Sequence, residues 1–279
     1  MVAGETDQTT EEARPSGDER QLGVLDHRML PSDEFLALWD AILIEPELKE
    51  RLLSQAMLNF TIRPKIERAR LPIHGLILLV GPPGTGKTSL ARGLAAKTAT
   101  EMTHLGEFNY VEVDPHDLAS AALGKSQKAI TDLVGKTIAK YAADKPTVVL
   151  FDEVETLAVS RNRLSMDVNP IDVHRATDAL LAQLDFMASQ SPQVLFLATS
   201  NFAEAIDDAF LSRSDFLAVI NQPSKDACQQ IFYDTVSALA ESFPAIGELI
   251  ERQELKEAAR DVRTYIRGLK LRETAEELG

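Results

Sequence analysis

The 279-residue chain is poor in cysteine and tryptophan, with one of each, and it lacks any long apolar run. The single cysteine, Cys228, excludes an internal disulfide, and its helical surroundings predict a small buried side chain rather than a reactive thiol. No apolar run approaches the roughly 20 residues that span a bilayer. The polar first twenty residues do not resemble a signal peptide. The composition predicts a globular protein of the reducing cytoplasm.

Basic residues are also scarce, and this scarcity excludes further classes of function. The chain has 29 basic and 43 acidic residues, which give a formal net charge of −14. An acidic surface repels the phosphates of nucleic acids, so we expect neither nucleic-acid binding nor helicase activity. The pattern His-Glu-x-x-His does not occur, which excludes a metalloprotease built on that motif.

A glycine-rich segment follows the apolar run Gly75–Val80 and precedes a helical pattern. It fits the pattern G-x-x-x-x-G-K-[ST], in which a buried strand enters a tight turn and then a helix. Backbone N–H groups of such a turn, together with the helix dipole, hold a phosphate chain. We expect Lys87 to reach the β- and γ-phosphates and Thr88 to ligate Mg²⁺. The expected nucleotide-binding residues are Gly81, Pro82, Pro83, Gly84, Thr85, Gly86, Lys87, Thr88 and Ser89.

An acidic pair ends a second apolar strand. Asp152 and Glu153 follow the run Val148–Phe151. Asp152 suits the outer ligand sphere of a metal ion, so the metal site is expected to comprise Thr88 and Asp152. Glu153 suits the polarisation of a water molecule for in-line attack on a phosphate. The two motifs together predict hydrolysis of a nucleoside triphosphate.

The rest of the chain alternates apolar strands with amphipathic helices, which is typical of an α/β protein with a parallel sheet covered on both faces. Five strands are predicted, at residues 75–80, 110–113, 148–151, 194–199 and 216–220. The predicted helices between them span residues 87–99, 127–143, 173–188 and 203–211.

The domain boundaries follow from composition. Residues 1–20 contain little that could form a core, so they predict a disordered tail. Residues 21–222 form the predicted large α/β domain, with amphipathic helices at 31–60 that start at Ser32 and present Trp39 as a packing residue. Residues 223–279 show helical patterns alone and predict a small helical lid.

The sequence resembles AAA+ ATPases, and within them the pachytene-checkpoint remodellers (thyroid hormone receptor interactor thirteen in animals). The resemblance covers roughly residues 30–237. Beyond the two nucleotide motifs, it rests on the entry Leu-Pro-x-x-Glu-Phe-x-x-Leu-Trp at residues 30–39, on the run Asp152–Leu157, and on Thr199-Ser200-Asn201. It implies an AAA+ P-loop NTPase fold with a five-stranded parallel sheet, with ATP and Mg²⁺ as cofactors.

The resemblance also implies roles for three further polar residues. Asn201, at the end of the fourth predicted strand, matches the first sensor and would orient the attacking water, although a strand-end turn residue is the alternative. Arg213 matches the arginine finger that acts on a neighbouring subunit, which implies a homo-hexamer; the alternative is a surface arginine paired with Asp215. Arg260 matches a lid arginine that senses nucleotide. The glycine that usually precedes the lid arginine is absent, and Arg263, Arg267 or a solvated helix face remain open.

The substrate loop departs from the family pattern. By motif position, Ala122 occupies the slot of an aromatic side chain that grips a threaded polypeptide, and Leu123 follows it. An aliphatic knob offers less contact area than an aromatic ring. Residues 118–126 are therefore either a weakened pore loop or a plain connection without substrate contact. A second loop containing Arg161 and Arg163 could also face the pore.

The resemblance implies an ATPase (ATP and water to ADP and phosphate) coupled to protein remodelling. The short N-terminal extension of the chain is similar to that of bacterial relatives encoded with HORMA-domain proteins and cyclic-nucleotide synthases in antiphage (CBASS) defence. We therefore expect a hexamer that partly unfolds a HORMA-domain protein and disassembles its signalling complex, without nucleic-acid or membrane partners. The alternatives are an AAA+ loader or activator that acts without threading, and a nucleotide-gated scaffold.

Overall fold

A computed structural model of the protein describes residues 22–120, 126–158 and 170–242. Six strands form one sheet in the order β1-β3-β4-β5-β2-β6. Strands β2 to β6 are parallel to their neighbours, and β1 pairs antiparallel with β3. The strands are β1 (Val24–Leu30), β2 (Leu76–Val80), β3 (Phe108–Val113), β4 (Thr147–Phe151), β5 (Val194–Ser200) and β6 (Phe216–Val219).

The five predicted parallel strands are confirmed, but a sheet of only five strands is wrong because β1 adds a sixth at the edge. Its side chains alternate between partly buried and exposed, with Leu25, His27 and Met29 on the exposed face. The consecutive polar residues Asp26, His27 and Arg28 interrupt its apolar residues on both faces. Strand β1 therefore lacks the continuous apolar run that predicts the other strands.

Both faces of the sheet are buried, as the apolar strands predict. In β2, Leu76, Leu78 and Val80 face one core, while Ile77 and Leu79 face the other. The other strands in the middle of the sheet divide in the same way, because successive side chains point to opposite faces. The residues that follow the strand ends are therefore anchored to a sheet that is packed on both faces.

Nine α-helices lie in the described residues, which leave out 1–21, 121–125, 159–169 and 243–279. They are α1 (Asp33–Ala41), α2 (Pro46–Ile62), α3 (Lys87–Glu101), α4 (Pro115–Ser120), α5 (Ser126–Asp132), α6 (Ala139–Asp144), α7 (Pro170–Gln190), α8 (Asp208–Leu211) and α9 (Lys225–Ser242). Helices α1 to α3 contribute to the core beside Ile77, and α5 and α7 to the core beside Leu78.

Three details of the helices differ from expectation. The predicted helix at 127–143 contains a π-helical segment, Leu133–Ile138, between α5 and α6. The helix predicted at 203–211 is a 3₁₀ turn, Ala203–Ala205, followed by the short α8. Ser32 occupies the N-cap position of α1, but its side chain makes no capping hydrogen bond. Trp39 is buried, as predicted for a packing residue.

The predicted tail at 1–20 lies outside the described residues, and so does most of the predicted lid, which is represented by α9. In α9, Cys228 is partly buried, and its thiol lies 3.6 Å from the carbonyl oxygen of Pro223. None of the helices in the described ranges combines the length and apolarity needed to cross a bilayer.

Candidate nucleotide site

The loop between β2 and α3 has a backbone that requires glycine at two positions. A Cβ atom on Gly81 would lie 2.0 Å from the carbonyl oxygen of Ile220, so the loop leaves β2 in direct contact with the residue after β6. Gly86 has φ of +83° and forms the N-cap of α3. A Cβ atom there would be 2.7 Å from Cδ1 of Ile42. The loop is thus held against fixed structure on both sides, with the N-terminus of α3 beneath it.

Lys87, the first residue of α3, folds back over this loop. Its Nζ donates to the carbonyl oxygens of Gly81 at 2.8 Å and Pro82 at 2.9 Å, and to Oδ1 of Asn201 at 2.9 Å. Burial lowers the pKa of Lys87, and the carboxylates of Glu155, Asp152 and Glu153 act in the opposite direction. The ammonium group is therefore fixed by oxygen acceptors at the mouth of the loop.

The predicted metal-binding pair is assembled by side chains from three elements. Thr88 Oγ1 donates to Asp152 Oδ1 at 2.8 Å. Thr199, near the end of β5, donates to the same oxygen at 2.5 Å and accepts the backbone N–H of Glu153 at 3.0 Å. Thr199 thus holds both members of the acidic pair against the end of β5.

Oxygen donors at this place fit Mg²⁺. The ion is typically bound through one or two protein oxygens and substrate phosphates while it keeps several waters. Thr88 and Asp152 supply a hydroxyl and a carboxylate next to the phosphate-binding loop. The residues present therefore fit the ion that the sequence predicts.

Glu153 carries its carboxylate on a left-handed backbone, with φ of +52° and ψ of +52°. This conformation is uncommon for a residue other than glycine and is enriched at functional sites. Asn201 Nδ2 donates to Glu153 Oε1 at 3.1 Å. His116, in α4, places its Nε2 3.8 Å from the other carboxylate oxygen. Glu153 is therefore exposed to the site and flanked by two nitrogen-bearing side chains.

Two cavities lie near the site, and the loop itself lines the smaller one. One of about 260 Å³ is lined by the loop, the acidic pair, Thr199 and Asn201. A larger cavity of about 480 Å³ lies beyond Ile220. Its lining includes Leu43, Ile44, Leu48 and Ala227, so it separates the segment after α1 from the start of α9.

Arg213 lies away from this cluster. Its Nε and Nη2 donate to the two carboxylate oxygens of Asp185 at 3.1 and 2.7 Å, and its Nη1 donates to the carbonyl oxygen of Ala209. The alternative pairing with Asp215 is wrong. Asp215 instead accepts the backbone N–H groups of His74, Gly75 and Leu76 at the start of β2, with the Gly75 distance at 2.5 Å.

The structure thus brings Lys87, Thr88, Asp152, Glu153 and Asn201 together and leaves Arg213 apart. Arg260, its alternatives Arg263 and Arg267, and the loop residues Ala122, Leu123, Arg161 and Arg163 lie outside the described residues. Their roles remain predictions.

Three residues at the site were not assigned from the sequence, namely His116, Thr199 and Glu155. Thr199 contacts both acidic residues, and Glu155 Oε1 accepts the backbone N–H of Asn201 at 3.0 Å. Both belong to runs that carry the family resemblance. A polar residue at the end of an apolar strand is the signal that could have identified Thr199.

Comparisons with known proteins identify the family of the chain. The family model "ATPase family associated with various cellular activities (AAA)" matches residues 77–222. CD-NTase-associated protein 6 of Pseudomonas aeruginosa is 56% identical over 220 residues, which cover 79% of this chain and 72% of that protein. Pachytene checkpoint protein 2 homolog of Xenopus tropicalis is 34% identical over 217 residues, which cover 76% of this chain and 50% of that protein.

A solved structure shows the same fold. It is that of an E. coli HORMA:CdnC:Trip13 complex, in which the match covers 86% of this chain and 82% of the matched chain, with a TM-score of 0.68 and 18% identity. The chain belongs to the AAA family of ATPases, in the branch that includes CD-NTase-associated protein 6 and the pachytene checkpoint protein 2 homologues.

Proposed function

We propose that the chain binds ATP with Mg²⁺ between the loop after β2 and the ends of β4 and β5, and hydrolyses it with Glu153 as the general base. The observation that carries this proposal is the position of Asn201, whose side chain bonds to both Lys87 and Glu153. Lys87 would bind the β- and γ-phosphates, and Glu153 would take the proton of the attacking water. Thr88 and Asp152 would hold Mg²⁺, which supplies neutralisation of phosphate charge.

The larger cavity would take the adenine base. It adjoins the phosphate-binding loop through Ile220, and its walls combine aliphatic side chains with Asn221 and Gln222. Apolar walls with a few polar groups are typical of a site for a flat heterocycle. Because α9 lines one side of this cavity, nucleotide binding would be coupled to the position of the lid.

Arg213 would act on a nucleotide held by a neighbouring copy of the chain. Asp215, two residues later, binds the backbone at the start of β2, whereas Gly81 follows the end of this strand. The five residues of β2 extend over about 16 Å at roughly 3.3 Å per residue. The backbone of Arg213 is therefore too far from the phosphate-binding loop of its own chain for its side chain to reach a bound phosphate. In a closed ring of six copies, each site would receive the arginine of its neighbour.

We propose that this ring partly unfolds a HORMA-domain protein and thereby disassembles its complex, in CBASS-type antiphage defence. Support comes from what the relatives are called: one is a CD-NTase-associated protein, and one matched chain was solved in a HORMA:CdnC:Trip13 complex. The client and its cyclic-nucleotide synthase are thus the expected partners.

A capture experiment tests the coupling. The Glu153→Gln form should bind ATP without turnover, and in ATP it should retain a purified HORMA-domain protein that the parental chain releases. Leu123→Asp should abolish remodelling while ATP hydrolysis persists, if the polypeptide is threaded. Unchanged remodelling by Leu123→Asp would favour an activator that acts without threading, and failure to retain the HORMA-domain protein would contradict the proposed client.

A further inference from the structure

Glu155 lies in the 3₁₀ turn Val154–Thr156 that follows the acidic pair. The left-handed backbone at Glu153 reverses the chain at the end of β4, so that the turn lies beside the end of β5. There Glu155 Oε1 accepts the backbone N–H of Asn201 at 3.0 Å. This hydrogen bond joins the ends of two neighbouring strands, at the point where both deliver residues to the nucleotide site.

The other oxygen of this carboxylate has no hydrogen-bond partner. Among the described residues, Glu155 Oε2 is one of two buried side-chain nitrogen or oxygen atoms without a partner. An unpaired buried oxygen is unfavourable for folding, so a purely structural role would be filled better by an apolar contact.

Asn201 is the residue through which Glu155 can affect hydrolysis. With its backbone N–H fixed by Glu155, its side chain reaches Lys87 Nζ with Oδ1 at 2.9 Å and Glu153 Oε1 with Nδ2 at 3.1 Å. A rotation of the backbone at Asn201 would lose both of these contacts. The amide would then no longer lie between the phosphate-binding lysine and the general base.

We propose that Glu155 is a positioning residue for ATP hydrolysis. It holds the backbone of Asn201 so that the Asn201 side chain orients Glu153 relative to Lys87. This inference rests on the proposed function, because it assigns Glu155 a part in the step that Glu153 performs. Glu155 acts through Asn201 and does not touch the nucleotide.

The test separates turnover from binding. Glu155→Ala should lower kcat by roughly tenfold or more, the factor expected for the loss of one charge-assisted hydrogen bond. The Kd for ATP should stay close to that of the parental chain, and the melting temperature should fall by only a few degrees, since a single hydrogen bond is lost. Glu155→Gln keeps an acceptor oxygen for the Asn201 N–H and should recover most of kcat. Glu50→Ala, at an exposed glutamate of α2, is the matched control. It should leave kcat, the Kd for ATP and the melting temperature unchanged.

A double-variant cycle with Asn201→Ala tests the route. If Glu155 acts through the Asn201 side chain, adding Glu155→Ala to Asn201→Ala should lower kcat no further. Fully additive losses would overturn the inference, and so would equal losses of kcat in Glu155→Ala and Glu155→Gln. If kcat is unchanged in Glu155→Ala but is lost in Glu153→Gln, this inference is overturned and the proposed function stays intact.

Hydrogen exchange at the Asn201 amide gives a readout that does not depend on turnover. Exchange should be faster in Glu155→Ala and close to the parental rate in Glu155→Gln. Unchanged exchange in Glu155→Ala would show that Glu155 does not hold Asn201. If Glu153→Gln instead proved fully active, the proposed function would fail, and the exchange rates would still decide whether Glu155 fixes Asn201.

Discussion

Lys87 and Asn201 are 114 residues apart in the chain, and their side chains are joined by a 2.9 Å hydrogen bond from Nζ to Oδ1. The bond connects the first residue of α3 to the residue that follows β5. Since β2 and β5 are adjacent parallel strands, their carboxyl ends meet at the same edge of the sheet. The contact is therefore a direct product of the strand order.

Removal of the Lys87 side chain should weaken nucleotide binding. Lys87→Ala deletes the cation at the mouth of the loop, and hydrogen bonds to charged groups contribute about 1.5–3 kcal/mol each. We expect the Kd for ATP to rise by at least roughly tenfold to a hundredfold, as measured by titration with a fluorescent ATP analogue. Lys97→Ala, at a surface lysine paired with Glu101 on the same helix, should bind ATP normally. Parental affinity in Lys87→Ala would rule out the loop as the phosphate site.

The acidic pair should separate binding from chemistry. Glu153→Gln keeps the side-chain shape but removes the base, so ATP should still bind while kcat falls by about a hundredfold or more. Measurement of phosphate release and of ATP affinity on the same preparation checks this expectation. Glu241→Gln, at an exposed residue of α9, is the control. Parental turnover by Glu153→Gln would contradict the assignment of the general base.

The parallel part of the fold could be predicted because its strands are continuous apolar runs. Strands β2, β4 and β5 are buried along their full length. Strand β1 could not be predicted in this way, because the polar residues Asp26, His27 and Arg28 interrupt its apolar residues. Short 3₁₀ and π segments were also missed, since they follow from packing rather than from periodicity.

The candidate site residues that belong to sequence motifs could be predicted, but the contacts that hold them in place could not. The contact between Thr199 and Asp152 joins residues 47 positions apart, and no local pattern encodes it. The partner of Arg213 shows the same limit. A neighbour in sequence, Asp215, was the expected alternative, yet Asp185 is the acceptor, 28 positions away in α7.

The stability of the protein should decrease in mild acid because of His74. Burial lowers the pKa of His74 below its ordinary value of 6.5, and Arg68 and Arg213 lower it further, against the opposing effect of Asp215 and Asp185. Arg68 Nη2 lies 2.8 Å from His74 Nε2 and can only donate, so this nitrogen accepts in the neutral ring. The folded state therefore favours neutral His74. Its contribution to stability is present above pH 6.5 and is lost as the pH falls from 6.5 toward the folded pKa.

His74→Gln should flatten this dependence. We expect the difference in melting temperature between pH 7.5 and pH 5.5 to be smaller in His74→Gln than in the parental chain, as measured by circular dichroism. His104→Gln, at an exposed histidine, should keep the parental difference. A His74→Gln protein that loses as much melting temperature in acid as the parental chain would refute the assignment.

A buried ion pair between α3 and β3 should matter more for folding than the surface pairs. Glu112 has a side chain only 2% exposed and accepts from Arg92 at 2.9 and 2.6 Å and from the Tyr110 hydroxyl at 2.7 Å. Arg92→Ala leaves this carboxylate buried without its cation. Loss of one partner of a fully buried pair costs about 3–5 kcal/mol.

Because the Arg92 side chain is itself 32% exposed, we expect a smaller loss of about 2–3 kcal/mol in the free energy of unfolding, measured with urea. Lys97→Ala breaks a solvent-exposed pair on the same helix and should cost about 1 kcal/mol or less. Equal losses in the two variants would show that water solvates the unpaired carboxylate of Glu112 as well as it solvates that of Glu101.

Mixed rings would reveal whether Arg213 acts between subunits. Arg213→Ala alone should bind ATP but turn it over about a thousandfold more slowly, the lower end of the range for arginine fingers. Lys87→Ala subunits should be nearly inactive, because they bind ATP weakly and lack the cation at the phosphates, yet they carry an intact Arg213. A mixture of the two variants should therefore hydrolyse ATP faster than either alone, since a Lys87→Ala subunit can supply its arginine to the intact site of a neighbour.

Arg70→Ala, at an exposed arginine, is the control for loss of a surface charge. If mixing restored nothing while both variants still assembled into rings, Arg213 would have no role in trans, and its bond to Asp185 would be purely structural.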